Sequence, residues 1–113
     1  MQVEFYEKPD ETIPVKGFLC SLDIRLEAKV MRAIDLLEEF GTELREPVSK
    51  HLNEGIFELR ASVGKDETRV LYFFHHKGKA ILTHGFIKKT QKTPPKEIDK
   101  AKEYRTDYLT RNR

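Results

Sequence analysis

The sequence predicts an α+β fold: a small antiparallel sheet, mixed with an N-terminal strand, carrying a helical hairpin on one face and a C-terminal helix. Three observations carry this. Apolar residues recur at helical spacing between Leu26 and Phe40 and end at Gly41. Three strand-like runs follow one another between Ile56 and Ile87, separated by short glycine-containing turns, as in an antiparallel meander. Thr93-Pro94-Pro95 then opens a last helical segment. The 113 residues fit one domain, 1–113. Such a chain can bury a moderate core without disulfides or metal.

Val3–Tyr6 alternates and reads as the first strand, broken by Pro9-Asp-Glu-Thr12. Pro14 suits a first helical turn, and Val15, Phe18, Leu19 and Leu22 follow at helical spacing. Asp23 is placed to cap a second helix, whose inner stripe is Leu26, Val30, Ala33, Ile34, Leu37 and Phe40. Residues 42–55, with Pro47 and a closing glycine, read as a loop. The three strand runs are Ile56–Val63, Arg69–His75 and Ala80–Ile87, with turns at Gly64–Glu67 and His76–Lys79. The last helix shows a weak inner face of Ile98, Ala101, Arg105 and Tyr108, and Thr110–Arg113 should fray. The order is β-α-α-β-β-β-α, with the helices gathered on one face of the sheet.

Charged residues make up 35% and apolar residues 38%, which fits a globular chain and not a disordered one. No uncharged stretch reaches membrane-spanning length and the N-terminus lacks a signal-peptide pattern, so no membrane partner is expected. Cys20 is the single cysteine, so no internal disulfide forms, in keeping with a reduced, cytoplasmic setting. Its apolar neighbours predict a small buried hydrophobe and not a nucleophile. There is no Gly-rich phosphate loop, paired-Cys motif or His-x-x-x-His helix. His75 and His76 should point to opposite faces and cannot share a metal, so neither metal nor other cofactor is expected.

The charge is unevenly spread. Residues 1–40 carry nine acids against five Lys/Arg, whereas residues 68–96 carry seven Lys/Arg, three His and no acid. A cationic surface of this kind attracts polyanions, unless it is merely a solvated face. Alternation sends Phe57, Leu59, Ala61 and Val63 to one side of their strand and Glu58, Arg60 and Ser62 to the other. Arg60 and Arg69 can meet on the open side of the sheet, near Lys88 and Lys89. Alternatively, Glu58 and Glu67 pair with these arginines across strands. A cationic cleft suits metal-free cleavage of RNA, whose 2′-hydroxyl is a built-in nucleophile. Fixed guanidinium and ammonium groups stabilise the phosphorane, and a Lys or His moves the proton.

Glu58-Leu-Arg60, Arg69-Val-Leu-Tyr-Phe-Phe74, Glu97-Ile-Asp-Lys-Ala-Lys-Glu-Tyr-Arg105 and above all His84-Gly-Phe-Ile-Lys-Lys-Thr-Gln-Lys-Thr-Pro94 are distinctive. Together they resemble the phage-related HigB branch of the RelE/ParE toxin superfamily, over nearly the whole chain. The resemblance implies a RelE-like fold and a ribosome-dependent, metal-independent mRNA endonuclease that blocks translation. It also implies a small helix-turn-helix, HigA-like antitoxin as partner, besides ribosome and mRNA. Arg60 and Arg69 match strand arginines that contact the substrate phosphate, and Lys88 and Lys89 match a basic pair at the end of the last strand. These four are the expected catalytic residues. Some relatives place a catalytic Tyr or His after the last strand; here Tyr104 and Tyr108 lie on a predicted helix and no His follows His84. Lys50, His51 and His84 are the substitutes, and Lys92 and Lys50 would contact flanking phosphates or ribosomal RNA. Against this, His84 would alternate with Leu82 and Phe86 as a hydrogen-bonded core residue, and Lys50 and His51 would be ordinary loop residues. Two other functions remain open: a non-enzymatic, ParE-like inhibitor of DNA gyrase, and a DNA-binding accessory subunit. A basic concave face is what cleavage needs and gyrase binding does not; the lack of an evident helix-turn-helix speaks against the accessory subunit.

Overall fold

The computed structural model describes residues 1–76 and 78–112. The elements are β1 (Gln2–Phe5), α1 (Pro14–Ser21), α2 (Ile24–Phe40), a short 3-10 turn (Gly41–Glu43), β2 (Ser49–Asn53), β3 (Ile56–Val63), β4 (Asp66–His75), β5 (Lys79–Lys88) and α3 (Pro95–Arg111). The fold is α+β, with one mixed sheet in the order β1-β5-β4-β3-β2. β1 joins β5 in parallel, and the other pairs are antiparallel.

Local chemistry explains the helices. Pro14 sits in the first turn of α1, and the Asp23 carboxylate accepts the Leu26 N–H at 2.9 Å to cap α2. Gly41 ends α2 at φ 54°, a left-handed value that glycine adopts without Cβ strain. Val15, Leu19, Val30, Ala33, Ile34 and Leu37 pack against Leu59, Val70, Tyr72 and Leu82 on one face of the sheet. Gly85 allows close approach of α1, since a Cβ there would overlap the Phe18 ring.

Several expectations are corrected. The helices do not share one face: α3 lies on the other side, where Ala101 and Tyr108 cover Ile56, Leu71, Phe73 and Ile81. Its third contact residue is Tyr104, stacked on Tyr6 at 4.7 Å, whereas Arg105 turns to donate to the Glu54 carbonyl at 2.6 Å. α3 does not fray at Thr110, because Arg111 is tied to Asp107 (2.6 Å) and to the Glu7 carbonyl (2.5 Å); Arg113 lies outside the described residues. Thr93 does not cap α3: Pro94 takes the N-cap position without a side-chain hydrogen bond, and the Thr93 hydroxyl donates to Glu58 instead. The expected loop at 42–55 contains β2, joined to β3 through Glu54 and Gly55, both at positive φ, as a two-residue hairpin turn requires. β4 starts three residues early, at Asp66, so the preceding turn is shorter than expected. The expected turn at His76–Lys79 contains Lys77, which lies outside the described residues, and Lys79 already belongs to β5. Phe40 and Cys20 are exposed and not buried: Cys20 sits away from the Val15–Leu19 face of α1, and Phe40 continues the inner stripe of α2 but is its last residue. His75 and His76 do not diverge: the chain turns at His76, leaving the rings 4.0 Å apart.

A bulge interrupts the β4–β5 ladder. Leu71 pairs with His84 and Tyr72 with Leu82, so Thr83 is the extra residue. Its hydroxyl donates to the Leu71 carbonyl at 3.0 Å. His84 therefore does not share a face with Leu82; it turns with Phe86 toward α3.

Candidate RNA-cleaving cleft

Register brings the arginines together: Arg60 and Arg69 are direct cross-strand partners on β3 and β4. Both have acidic partners, which is the alternative the sequence left open. Arg60 Nε donates to Glu58 Oε2 at 2.7 Å, and its Nη1 stands 3.7 Å from Glu46. Arg69 Nη2 donates to Glu67 at 3.0 Å and Nη1 to the Thr68 carbonyl at 2.8 Å. The Arg69 hydrogen bond holds the Glu67 carboxyl below its ordinary range. Arg69 Nε lies 3.5 Å from Glu58 Oε1 but makes no hydrogen bond.

Glu58, expected from sequence only as a possible cross-strand partner of the arginines, is the hub of this network. Its side chain is 2% exposed, and it joins Arg60, Arg69 and Thr93, so it links β3 and β4 to the loop after β5. Its signal was the same alternation that placed Arg60. Arg60 is a quarter exposed, whereas Arg69 is 5% exposed and so belongs to the buried part of the sheet, not its open surface.

Above Glu58 lies a cleft of about 270 Å³, walled by Lys50, His51, Arg60, Lys88, Lys92 and Thr93, among others. It gathers side chains from β2, β3, β5 and the loop before α3. β2 brings Lys50 opposite Glu58 and His51 opposite Phe57. The His51 ring packs edge-on against Phe57, and its Nε2 accepts the Gly55 N–H at 3.1 Å. Among the described residues, Lys50, Lys88 and Lys92 form no ion pair, so the lysines carry the cleft's uncompensated charge.

Three expected site residues, Lys89, His84 and Arg69, do not line the cleft. Lys89 lines a neighbouring hollow with Lys65, Asp66 and Glu67. His84 is buried, 4% exposed, between Thr83 (3.0 Å) and Glu97 (3.1 Å), and it packs on Tyr104. Burial pulls its pKa below the ordinary value, and Glu97 offsets part of that shift. Arg69 lines a third hollow, beside α2, that also contains Arg60.

The sequence model of the family described as phage-derived Gp49-like protein (DUF891) matches residues 17–106. The chain belongs to the Gp49-like family. That family falls within the RelE/HigB-like toxin superfamily, so the Gp49-like chain is toxin-like and its membership implies an antitoxin partner. Among curated proteins no sequence matches it. No described helix is long and apolar enough to cross a membrane, and no described His, Cys, Asp and Glu side chains group as metal ligands. The match spans α1 to most of α3 and so includes every wall of the cleft.

Proposed function

We propose that this chain is a type II toxin of the HigB kind that cuts messenger RNA on the ribosome, in the cytoplasm, as a single domain and without a metal. The observation that carries the reading is the cleft itself: three lysines that form no ion pair among the described residues and one partly exposed arginine around a buried glutamate. In this reading Lys50, Lys88 and Lys92 draw in the RNA backbone, and Lys89 adds to the field at the rim. The 2′-hydroxyl attacks the neighbouring phosphorus and the 5′-oxygen leaves. Arg60 faces the phosphorane, where a preorganised cation lowers the barrier. Glu58 has both oxygens engaged and acts as a holder, not a base. Arg69 acts behind it as a positioning residue. His51 is the imidazole on the wall and the group assigned to proton transfer with the 2′-hydroxyl. His84 supports the site from within the sheet. With few groups to place a flexible substrate, the domain relies on the ribosome to position the message. A helix-turn-helix antitoxin neutralises it.

Programmed ribosomes test this directly. Purified protein should cut the ribosome-bound message, and a single 2′-deoxy nucleotide at the mapped site should block that cut. No cleavage on ribosomes, or cleavage indifferent to the 2′-deoxy substitution, would overturn the reading.

A further inference from the structure

A second basic surface adjoins the cleft. β2 pairs with β3 only as far as Leu59, and the Arg60 N–H reaches the Val48 carbonyl at 2.8 Å. Beyond that point no described strand covers the edge at Ala61–Val63. Between this edge and α2 lies a hollow of about 490 Å³, which includes Lys29, Arg32, Arg60 and Arg69, with Glu67 as its acid. A further hollow of about 630 Å³ shares Lys29 and Arg32 with it and adds Arg25.

Arg25, Lys29 and Arg32 stand at i, i+4 and i+7, so they share one helix face and span about 10 Å. All three are exposed, and among the described residues none forms an ion pair. Glu27 and Glu38 fall on the opposite side of the same helix, and Asp35 and Glu39 line neither hollow. Like charges without ion-pair partners repel one another and favour a polyanion laid across them. Arg60 lines both this groove and the cleft, so the two adjoin at this residue.

We infer that the RNA strand continues past Arg60 into the groove between α2 and β3, with its phosphates beside Lys29, Arg32 and Arg25. This rests on the RNA-cleaving reading and extends it: the cleft takes the cut position and the groove takes flanking nucleotides. The groove presents cations and a bare strand edge but no aromatic side chain, so it grips backbone phosphate and does not read bases.

The test is salt-dependent RNA binding by the Arg25→Gln/Lys29→Gln/Arg32→Gln protein, its fold checked by an unchanged Tm. Fluorescent RNAs of roughly four and roughly fifteen nucleotides are titrated between about 50 and 200 mM KCl. Three lost phosphate contacts make the log Kd against log salt slope shallower by about 2 for the longer RNA, at about 0.7 per contact. The short RNA, held in the cleft, keeps its slope. Parallel slopes for the folded variant and wild type on the longer RNA would overturn the inference, as would an equal change on the short one. If wild type binds neither free RNA, the groove inference falls by itself, because the RNA-cleaving reading is decided separately by the cut on programmed ribosomes. Poly-L-glutamate bound by wild type and released by the variant, with unchanged RNA slopes, would assign the groove to an acidic protein segment instead.

Discussion

Replacing Arg69 by Met removes one side of a buried ion network. Arg69 is 5% exposed and Glu58 is 2% exposed, so neither charge is relieved by water. Breaking a buried pair by deleting one partner costs about 3–5 kcal/mol. Glu58 keeps Arg60 and Thr93, which places the cost near the lower limit, about 3 kcal/mol. The Arg69–Glu67 contact adds little, under about 1 kcal/mol, because Glu67 is half exposed. A loss of about 3 kcal/mol is a large part of the 5–15 kcal/mol that holds a domain together, and lowers Tm by roughly 12 °C. Glu58→Gln in the same chain removes the stranded charge while keeping groups that bond Arg60 and Thr93. The double variant should therefore recover about 2 kcal/mol relative to adding the two single effects, within the range of contacting residues. Urea unfolding of the four proteins, followed by far-UV circular dichroism, measures the cycle. An Arg69→Met loss under about 1 kcal/mol, or additivity within about 0.5 kcal/mol, would refute the buried-network account.

Two further outcomes are expected. Arg60→Lys keeps the charge but not the fork that bonds Glu58 and faces the cleft together, so single-turnover cleavage on ribosomes should fall roughly a hundredfold; a rate near wild type would reduce Arg60 to electrostatic steering. His84 has a folded pKa below its ordinary 6.5, so the unfolded chain takes up the proton first and its contribution to stability, present above pH 6.5, is lost as pH falls. Tm should accordingly drop between about pH 7 and 5, and drop less in His84→Gln; identical pH profiles would show that His84 contributes nothing to the acid sensitivity.

The helices and the three inner strands were legible because each carries a strong local signal: the Asp23 cap, the Leu26–Leu37 stripe, and period two in β3. β2 was not, because an edge strand with Lys50 and His51 at its centre gains its order from β3 and not from its own composition. Its trace in the sequence was Glu54-Gly55 ahead of Ile56, a two-residue hairpin signal. The side on which α3 packs was hidden by its weak apolar stripe, where tyrosines do the work of aliphatics. For the site, alternation placed Arg60 and Arg69 on one face, and register then made them neighbours. Glu58 was legible as a possible partner of the arginines but not as a buried hub; the convergence of two arginines and Thr93 on it explains its burial.

Thr83 reverses the parity of β5. Before it, even-numbered Ala80 and Leu82 look toward α1 and α2; after it, even-numbered His84 and Phe86 look the other way, and Lys88 pairs with Glu67 on the side of Arg60. Lys88 therefore owes its place in the cleft to a residue five positions upstream. Deleting Thr83 would exchange the places of Lys88 and Ile87, aiming a charge at the helical hairpin and an aliphatic chain at the RNA. A one-residue change of length is harmless in many turns, but here the count between Leu82 and His84 is as much a part of the site as the side chains that line it.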